Sequence, residues 1–221
     1  KANIIKKYKH DPSAFTQGLV YQNDHFFEST GGLGSSEIRK INKHTGKVIN
    51  FKKLQSKYFG EGITIYDNKI FQVTWKSNKG FVYDINNFKL LDDFNIYGQG
   101  WGLTNDGKSL ILSDGSEKIY YLNPKNFEIE KTISVSVNGN KLIYINELEF
   151  IRGEIWANIW KSNDIITVNP LSGIVTSIFD ISKISEQTEI EDVANGIAWD
   201  KVNDKIFITG KNWKFIYLLD I

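Results

Sequence analysis

The 221-residue chain contains no cysteine and no methionine, and it holds only three prolines and two arginines. Without cysteine there is no disulfide framework, no thiolate metal site and no thiol nucleophile. That absence does not by itself identify a redox compartment. Without methionine, Lys1 is not an initiator residue, and removal of an export signal or some other trimming is expected. There is no excess of charge: the formal net charge is +1, so no global field directs the chain toward nucleic acid or a membrane surface. No apolar run approaches the roughly 18 residues that a spanning helix needs. The histidines, His10, His25 and His44, follow no metal-ligand spacing and read as structural. Lysine outnumbers arginine 25 to 2, and Asn and Ile are abundant. That bias suggests a low-GC bacterial genome and says nothing about function. Helix signals are nearly absent too; one helical turn is expected over 181–191.

What is present is a repeat. Gly-Leu or Gly-Ile recurs as Gln17-Gly18-Leu19, Glu61-Gly62-Ile63, Trp101-Gly102-Leu103 and Asn195-Gly196-Ile197, with Asn146-Glu147-Leu148 as a degenerate copy. Anchors at 18, 62, 102, 147 and 196 define a period of 40 to 49 residues. Each anchor opens a short apolar segment, followed by a polar turn such as Gln22-Asn23-Asp24 or Tyr66-Asp67-Asn68, of the composition tight hairpins favour. Three further strand-like runs follow, in the first repeat His25 to Ser29, Glu37 to Ile41 and Val48 to Phe51. Four short strands per repeat of this length is the pattern of a propeller blade. The expected fold is therefore all-β, a five-bladed propeller spanning 1–221 as a single domain. The last repeat has only three strands before the chain ends, and Asn3 to Tyr8 is an unassigned strand-like run. The N-terminal run is expected to supply the missing fourth strand, which closes the ring and removes its open edges.

In a propeller the first strand of each blade lines the central channel, so the residue before each anchor faces one shared mouth. Gln17, Glu61, Trp101, Asn146 and Asn195 converge there, with Phe15, Phe59 and Gln99 a few residues upstream. The second strands return to the same rim and offer Glu28-Ser29-Thr30, Trp75, Ser113-Asp114, Trp160 and Lys211. An apolar cavity with a few convergent polar groups is the default form of a small-molecule site. Trp75, Trp101 and Trp160 are expected as its walls, with Glu61, Asn146, Gln17 and Lys211 as its polar contacts. Plainer roles compete: tryptophans pack blades together, which is the reading for Trp156, Trp199 and Trp213, and Asn195 reads as a residue that bonds nearby backbone. Glu147 and Glu149 lie on one short strand, and only one of them is expected to face a given side.

The runs His10 to Leu19, Glu28 to Gly31, Phe59 to Thr64, Gly98 to Thr104, Asn146 to Glu149, Trp156 to Trp160 and Asn195 to Ala198 occur in order, with a motif in every blade. Together they resemble the plant and bacterial type of glutaminyl cyclase, a family of five-bladed propellers. The resemblance implies conversion of N-terminal glutamine of peptides or proteins to pyroglutamate with loss of ammonia. It implies Glu61, Asn146 and Lys211 as catalytic residues, and Phe15, Gln17, Phe59, Trp75, Trp101 and Trp160 around the substrate. No metal ligands are expected and no cofactor, with room left for a structural ion. Export to the periplasm or the exterior is expected from the missing initiator together with the family's habit, and a monomer with no nucleic-acid partner and no membrane span is expected. Two other functions fit a propeller: a non-catalytic module binding peptides at the same mouth, and a metal-dependent hydrolase. The second needs several oxygen ligands around its ion, which a lone acid among aromatic rings does not supply.

Overall fold

A computed structural model describes residues 3–185 and 192–220 of the chain. It shows five four-stranded antiparallel sheets and, among the described residues, no helix. The blades are built from strands Thr16–Gln22, His25–Thr30, Glu37–Asn42 and Val48–Lys53 (blade I), and Gly60–Tyr66, Lys69–Thr74, Lys79–Asp84 and Leu90–Asn95 (blade II). Blade III comprises Leu103–Asn105, Leu110–Ser113, Lys118–Leu122 and Ile129–Ser134, and blade IV comprises Ile145–Ile151, Glu154–Ile159, Asp164–Val168 and Val175–Asp180. Blade V takes Ala194–Asp200, Lys205–Gly210 and Phe215–Asp220 from the end of the chain and Asn3–Lys9 from its beginning. Lys9 pairs with Phe215 and Asn3 with Asp220, so the N-terminal strand closes the ring as expected. A small hairpin, Ser136–Val137 with Asn140–Lys141, lies between blades III and IV and was not foreseen from the repeat. Residues 181–185 make a turn, with the Ser185 N–H donating to the Ile181 carbonyl; the rest of the helical turn expected over 181–191 lies outside the described residues.

The hairpin signals hold at the level of backbone angles. Asn23 and Asp24 have φ of 50° and 62°, and Asp67 and Asn68 have φ of 48° and 55°, the left-handed pairs that type I′ turns require. Side chains alternate across each blade, and each face packs on the next blade. The core is consequently five inter-blade clusters. Phe27 and Ile63 belong to the I–II cluster, Val73 and Leu103 to II–III, and Ile111 and Leu148 to III–IV. Trp156 and Ile197 join IV to V, and Leu19 and Phe207 join I to V. Outer strands such as Val48–Lys53 stay largely exposed, because nothing covers the blade's outer edge.

The anchor glycines follow from crowding at the axis. A Cβ on Gly62 would lie 2.4 Å from the Leu103 nitrogen, and one on Gly102 would lie 2.1 Å from the Asn146 carbonyl oxygen. The inner strands of blades I, II and III thus sit against the backbone of the next, where a side chain has no volume to occupy. Gly102→Ala is expected to destabilise the protein by about 3 kcal/mol, since the clash is with backbone that cannot rotate away. A melt should show a midpoint lowered by about 6–12 °C. An unchanged midpoint would show that the inner strands can separate without loss.

Candidate active site

The inner strands also carry the irregularity that builds the site. In four of the five blades the pairing of inner and second strands shifts register at the anchor: between Thr16 and Gly18, Gly60 and Ile63, Ile145 and Leu148, and Ala194 and Ile197. Bulges re-aim side chains, and here they release Gln17, Glu61, Asn146 and Asn195 from the regular alternation. In blade III the ladder starts only at Leu103, after Trp101 and Gly102.

At this end of the inner strands lies a cavity of about 330 Å³ lined by Phe15, Gln17, Phe59, Glu61, Trp75, Trp101, Asn146, Trp160 and Lys211. These are the nine residues named from the sequence, and every blade contributes at least one. Trp75, Trp160 and Lys211 each stand just past the end of a second strand, which returns them to the mouth. The rings contact one another edge to face: Phe15 with Phe59 at 6.3 Å, Phe59 with Trp75 at 5.7 Å, and Trp101 with Trp160 at 5.6 Å. All five rings are half-buried, as the walls of an open cavity must be. Gln99 accepts a hydrogen bond from the Trp101 indole at 3.1 Å, and Gly115 lies so close to that ring that a Cβ there would come within 2.6 Å of it, so the indole has a fixed pose.

The polar groups sit deeper. Gln17, Glu61, Asn146 and Lys211 are all buried. The Gln17 amide nitrogen donates to Glu61 Oε1 at 3.2 Å. Burial pushes the Glu61 carboxyl well above its ordinary range, and the charge of Lys211 works against that rise. The Lys211 ammonium also stands 4.7 Å over the Phe15 ring. Ser113 donates to the Asn146 carbonyl at 2.6 Å and accepts from the Gly102 N–H at 2.8 Å, which fixes the Asn146 backbone. Asn146 Oδ1 is buried without a hydrogen-bond partner. An unpaired buried acceptor facing a cavity is the kind of group a ligand satisfies.

Several residues outside the nine hold them in place. His10 reads as structural from the sequence, and the geometry shows how. Its Nδ1 donates to the Trp213 carbonyl at 2.7 Å and its Nε2 to Glu28 Oε1 at 2.8 Å. Both partners are acceptors, so the ring carries both protons and is a cation. Thr16 donates to the same Glu28 oxygen at 2.7 Å, and the Asn212 N–H donates to the Ala14 carbonyl at 2.8 Å. This cluster ties the segment bearing Phe15 and Gln17 to the one bearing Lys211. Arg39 stands 3.9 Å from Glu28 Oε2 and bonds Asp11 and Glu37.

Two sequence expectations need correction. Glu147 and Glu149 are both buried and reach from blade IV to other inner strands, because residues two apart on a strand share a face. Glu147 accepts from the Leu19 and Ile197 N–H groups at 3.1 and 2.9 Å. Glu149 accepts from the Trp199 N–H at 3.3 Å and the Thr104 hydroxyl at 3.0 Å. They fasten the inner strands to one another across the ring. Burial raises both, Glu147 further through the charge of Glu149, while Glu149 itself is pushed up to about 8. Asn195 does bond backbone, at Thr16, but it also bonds the Gln17 side chain. Trp156, Trp199 and Trp213 pack as expected; Trp156 stacks on Phe179 at 5.1 Å and Trp213 is fully buried.

The class these features define is a β-propeller enzyme with a single-carboxylate, aromatic-walled pocket where its inner strands begin. The Glutamine cyclotransferase family model matches residues 1–221. The glutaminyl-peptide cyclotransferase of Arabidopsis thaliana is 40% identical over 225 residues, covering 99% of this chain and 70% of its own length. The crystal structure of Myxococcus xanthus glutaminyl cyclase superposes with a TM-score of 0.93 at 32% identity, over 99% of this chain and 95% of that one. The WD40 propeller domain of Doa1, at 10% identity and a TM-score of 0.56 over 91% of this chain and 62% of its own, shares the fold alone. The chain belongs to the glutamine cyclotransferase family. Its activity is that of a glutaminyl-peptide cyclotransferase, closing N-terminal glutamine to pyroglutamate with release of ammonia.

Proposed function

We propose that the nine-residue pocket is where this acyl transfer occurs and that Glu61 moves the protons without a metal. The observation that carries the reading is a single carboxylate, buried, raised in pKa and bonded by Gln17, inside an aromatic cavity. Substrate glutamine enters side chain first, flanked by Trp75, Trp101 and Trp160, and folds so that its α-amine meets its own γ-carbonyl. Holding the two groups in contact supplies much of the rate. The amine nitrogen attacks the carbonyl carbon of the side-chain carboxamide, Glu61 accepts the proton released from that nitrogen, and the carbonyl oxygen takes the negative charge. As the tetrahedral centre collapses, Glu61 returns the proton to the departing amide nitrogen, which leaves as ammonia. A carboxyl with a raised pKa suits both transfers. Asn146 and Lys211 stabilise the oxyanion in this reading, the first by its amide and the second by its charge. The rest of the peptide leaves over the rim, where Tyr144 contacts Trp160 at 5.6 Å and Lys76 and Lys161 cover the outer faces of Trp75 and Trp160.

Metal independence is supported by the donor set. The lining offers one carboxylate and no imidazole, and a divalent cation wants several oxygen or nitrogen ligands. The test is ammonia release from a glutaminyl peptide by protein dialysed against a strong chelator. Undiminished turnover is expected. Loss of turnover, restored by adding a divalent metal, would overturn the metal-free mechanism.

A further inference from the structure

We propose that Asn195 is a positioning residue for the reaction, setting the orientation of the Gln17 amide and through it the hydrogen bond to Glu61. The inference rests on Glu61 as the proton-transfer group.

The geometry is directional. Asn195 Nδ2 donates to the Thr16 carbonyl at 2.9 Å and to Gln17 Oε1 at 2.8 Å. Both acceptors are oxygens, so the Asn195 amide has one orientation; turned over, it would set Oδ1 against two oxygens. Because Gln17 Oε1 is engaged by Asn195, the opposite end of the Gln17 amide, Nε2, faces Glu61 Oε1 at 3.2 Å. A carbonyl in blade I thus dictates, through two side-chain amides, that Glu61 meets a donor. Thr16 is itself held, since its hydroxyl donates to the buried Glu28.

A second observation separates this from ordinary backbone satisfaction. Asn195 is fully buried, and its Oδ1 has no hydrogen-bond partner. A residue needed only to cap the Thr16 carbonyl would be better as serine or threonine, which strand no buried amide oxygen. Orphan acceptors are costly and rare, and they persist where a group serves a site. The neighbouring Gly196, with φ of +130° and its N–H bonded to Asn158 Oδ1 at 2.9 Å, keeps the bulge that aims Asn195 inward.

The chemical consequence concerns ionised Glu61. A carboxylate accepts only, so a fixed donor favours the charged base. Among the described residues the charge acting on Glu61 is that of Lys211, while the Glu147 carboxylate is engaged by the Leu19 and Ile197 N–H groups. Asn195→Asp keeps the shape and reverses the polarity: its oxygens face Gln17 Oε1, the Gln17 amide turns over, and an oxygen meets Glu61.

The test is the pH profile of kcat/KM on a glutaminyl peptide for wild type, Asn195→Asp, Asn195→Ala, Gln17→Leu and Gln17→Leu with Asn195→Ala. In Asn195→Ala and Gln17→Leu the acid limb should move up by about one pH unit. Asn195→Asp should move it further. The double variant should match Gln17→Leu alone, because Asn195 then has nothing left to orient. Thermal melts identify any variant that has lost its fold, and the comparison of Asn195→Asp with Asn195→Ala then uses whichever retains it. An acid limb that stays put in folded Asn195 variants, or an Asn195→Ala effect undiminished in the Gln17→Leu background, would overturn the relay. Full activity in Glu61→Gln would overturn the base instead, and the two failures read differently.

Discussion

Glu61→Gln should lose turnover by a factor of about 10²–10⁴ while the protein still folds. The amide fills the same volume and can still meet Gln17, but it cannot take a proton from the attacking amine or return one to the leaving nitrogen. Because the aromatic walls and the Asn146 and Lys211 contacts remain, KM for a glutaminyl peptide should change far less than kcat. In wild type the buried carboxyl titrates above its ordinary value of 4.5, so kcat/KM should rise with pH across a limb displaced upward from that value. Glu61→Asp should keep this limb but lose rate, since the shorter side chain withdraws the carboxylate from the amine. Ammonia release followed by a coupled assay, with a thermal melt on the same samples, gives both readings. Turnover of Glu61→Gln close to wild type would remove Glu61 from the chemistry and leave the pocket with no other carboxylate in its lining.

The nine pocket residues were legible because a propeller turns a sequence period into a place. Once Gly18, Gly62, Gly102 and Gly196 are aligned, the residue before each must come to the same end of the channel. The end of each second strand must return there too, which locates Trp75, Trp160 and Lys211. What the period does not carry is how those side chains meet. Gln17 and Asn195 are separated by 178 residues, and His10 and Trp213 by 203. These contacts exist only because the ring closes through the N-terminal strand. Asn195 therefore looked like one more turn residue. Glu147 and Glu149 could have been read correctly from strand geometry alone, as two groups on one face. Their partners on blades I, III and V could not, because the register of one blade's inner strand against another's is set by ring closure. The hairpin at 136–141 breaks the repeat and, among the described residues, has no counterpart in the other blades to align with.

The His10–Glu28 pair should carry a large share of stability and reveal itself by the slope of a pH dependence. Burial pulls the His10 pKa down, but the charge and hydrogen bond of Glu28, with the Trp213 carbonyl, outweigh it and leave the pKa above the ordinary 6.5. Burial pushes Glu28 up, but His10, Thr16 and Arg39 together leave it below the ordinary 4.5. The raised His10 stabilises the fold fully below 6.5, and this is lost as pH rises through its folded value. The lowered Glu28 stabilises the fold above 4.5, and this is lost as pH falls through its folded value. The pair therefore contributes most between about 4.5 and 6.5. His10→Ala removes one partner and leaves Glu28 buried, which should cost about 3–5 kcal/mol. The gap in melting midpoint from wild type should be widest near pH 5–6 and shrink toward pH 9. Glu28→Gln should do something His10→Ala cannot. With the carboxylate gone, burial dominates at His10 and its pKa falls below 6.5, so the unfolded chain binds more protons than the folded one. As pH is raised toward 7 the variant should lose stability less steeply than wild type, because the falling contribution of the buried Glu61, Glu147 and Glu149 carboxyls is common to both while that of His10 is reversed. If Glu28→Gln keeps the wild-type slope, His10 is not the cation that its two acceptor partners require. The loss should also reach catalysis, because His10 joins the segment carrying Gln17 to the strand end carrying Lys211. Folded His10→Ala should show kcat/KM reduced with an intact Glu61, as the amide and the ammonium on either side of that carboxylate lose their common anchor.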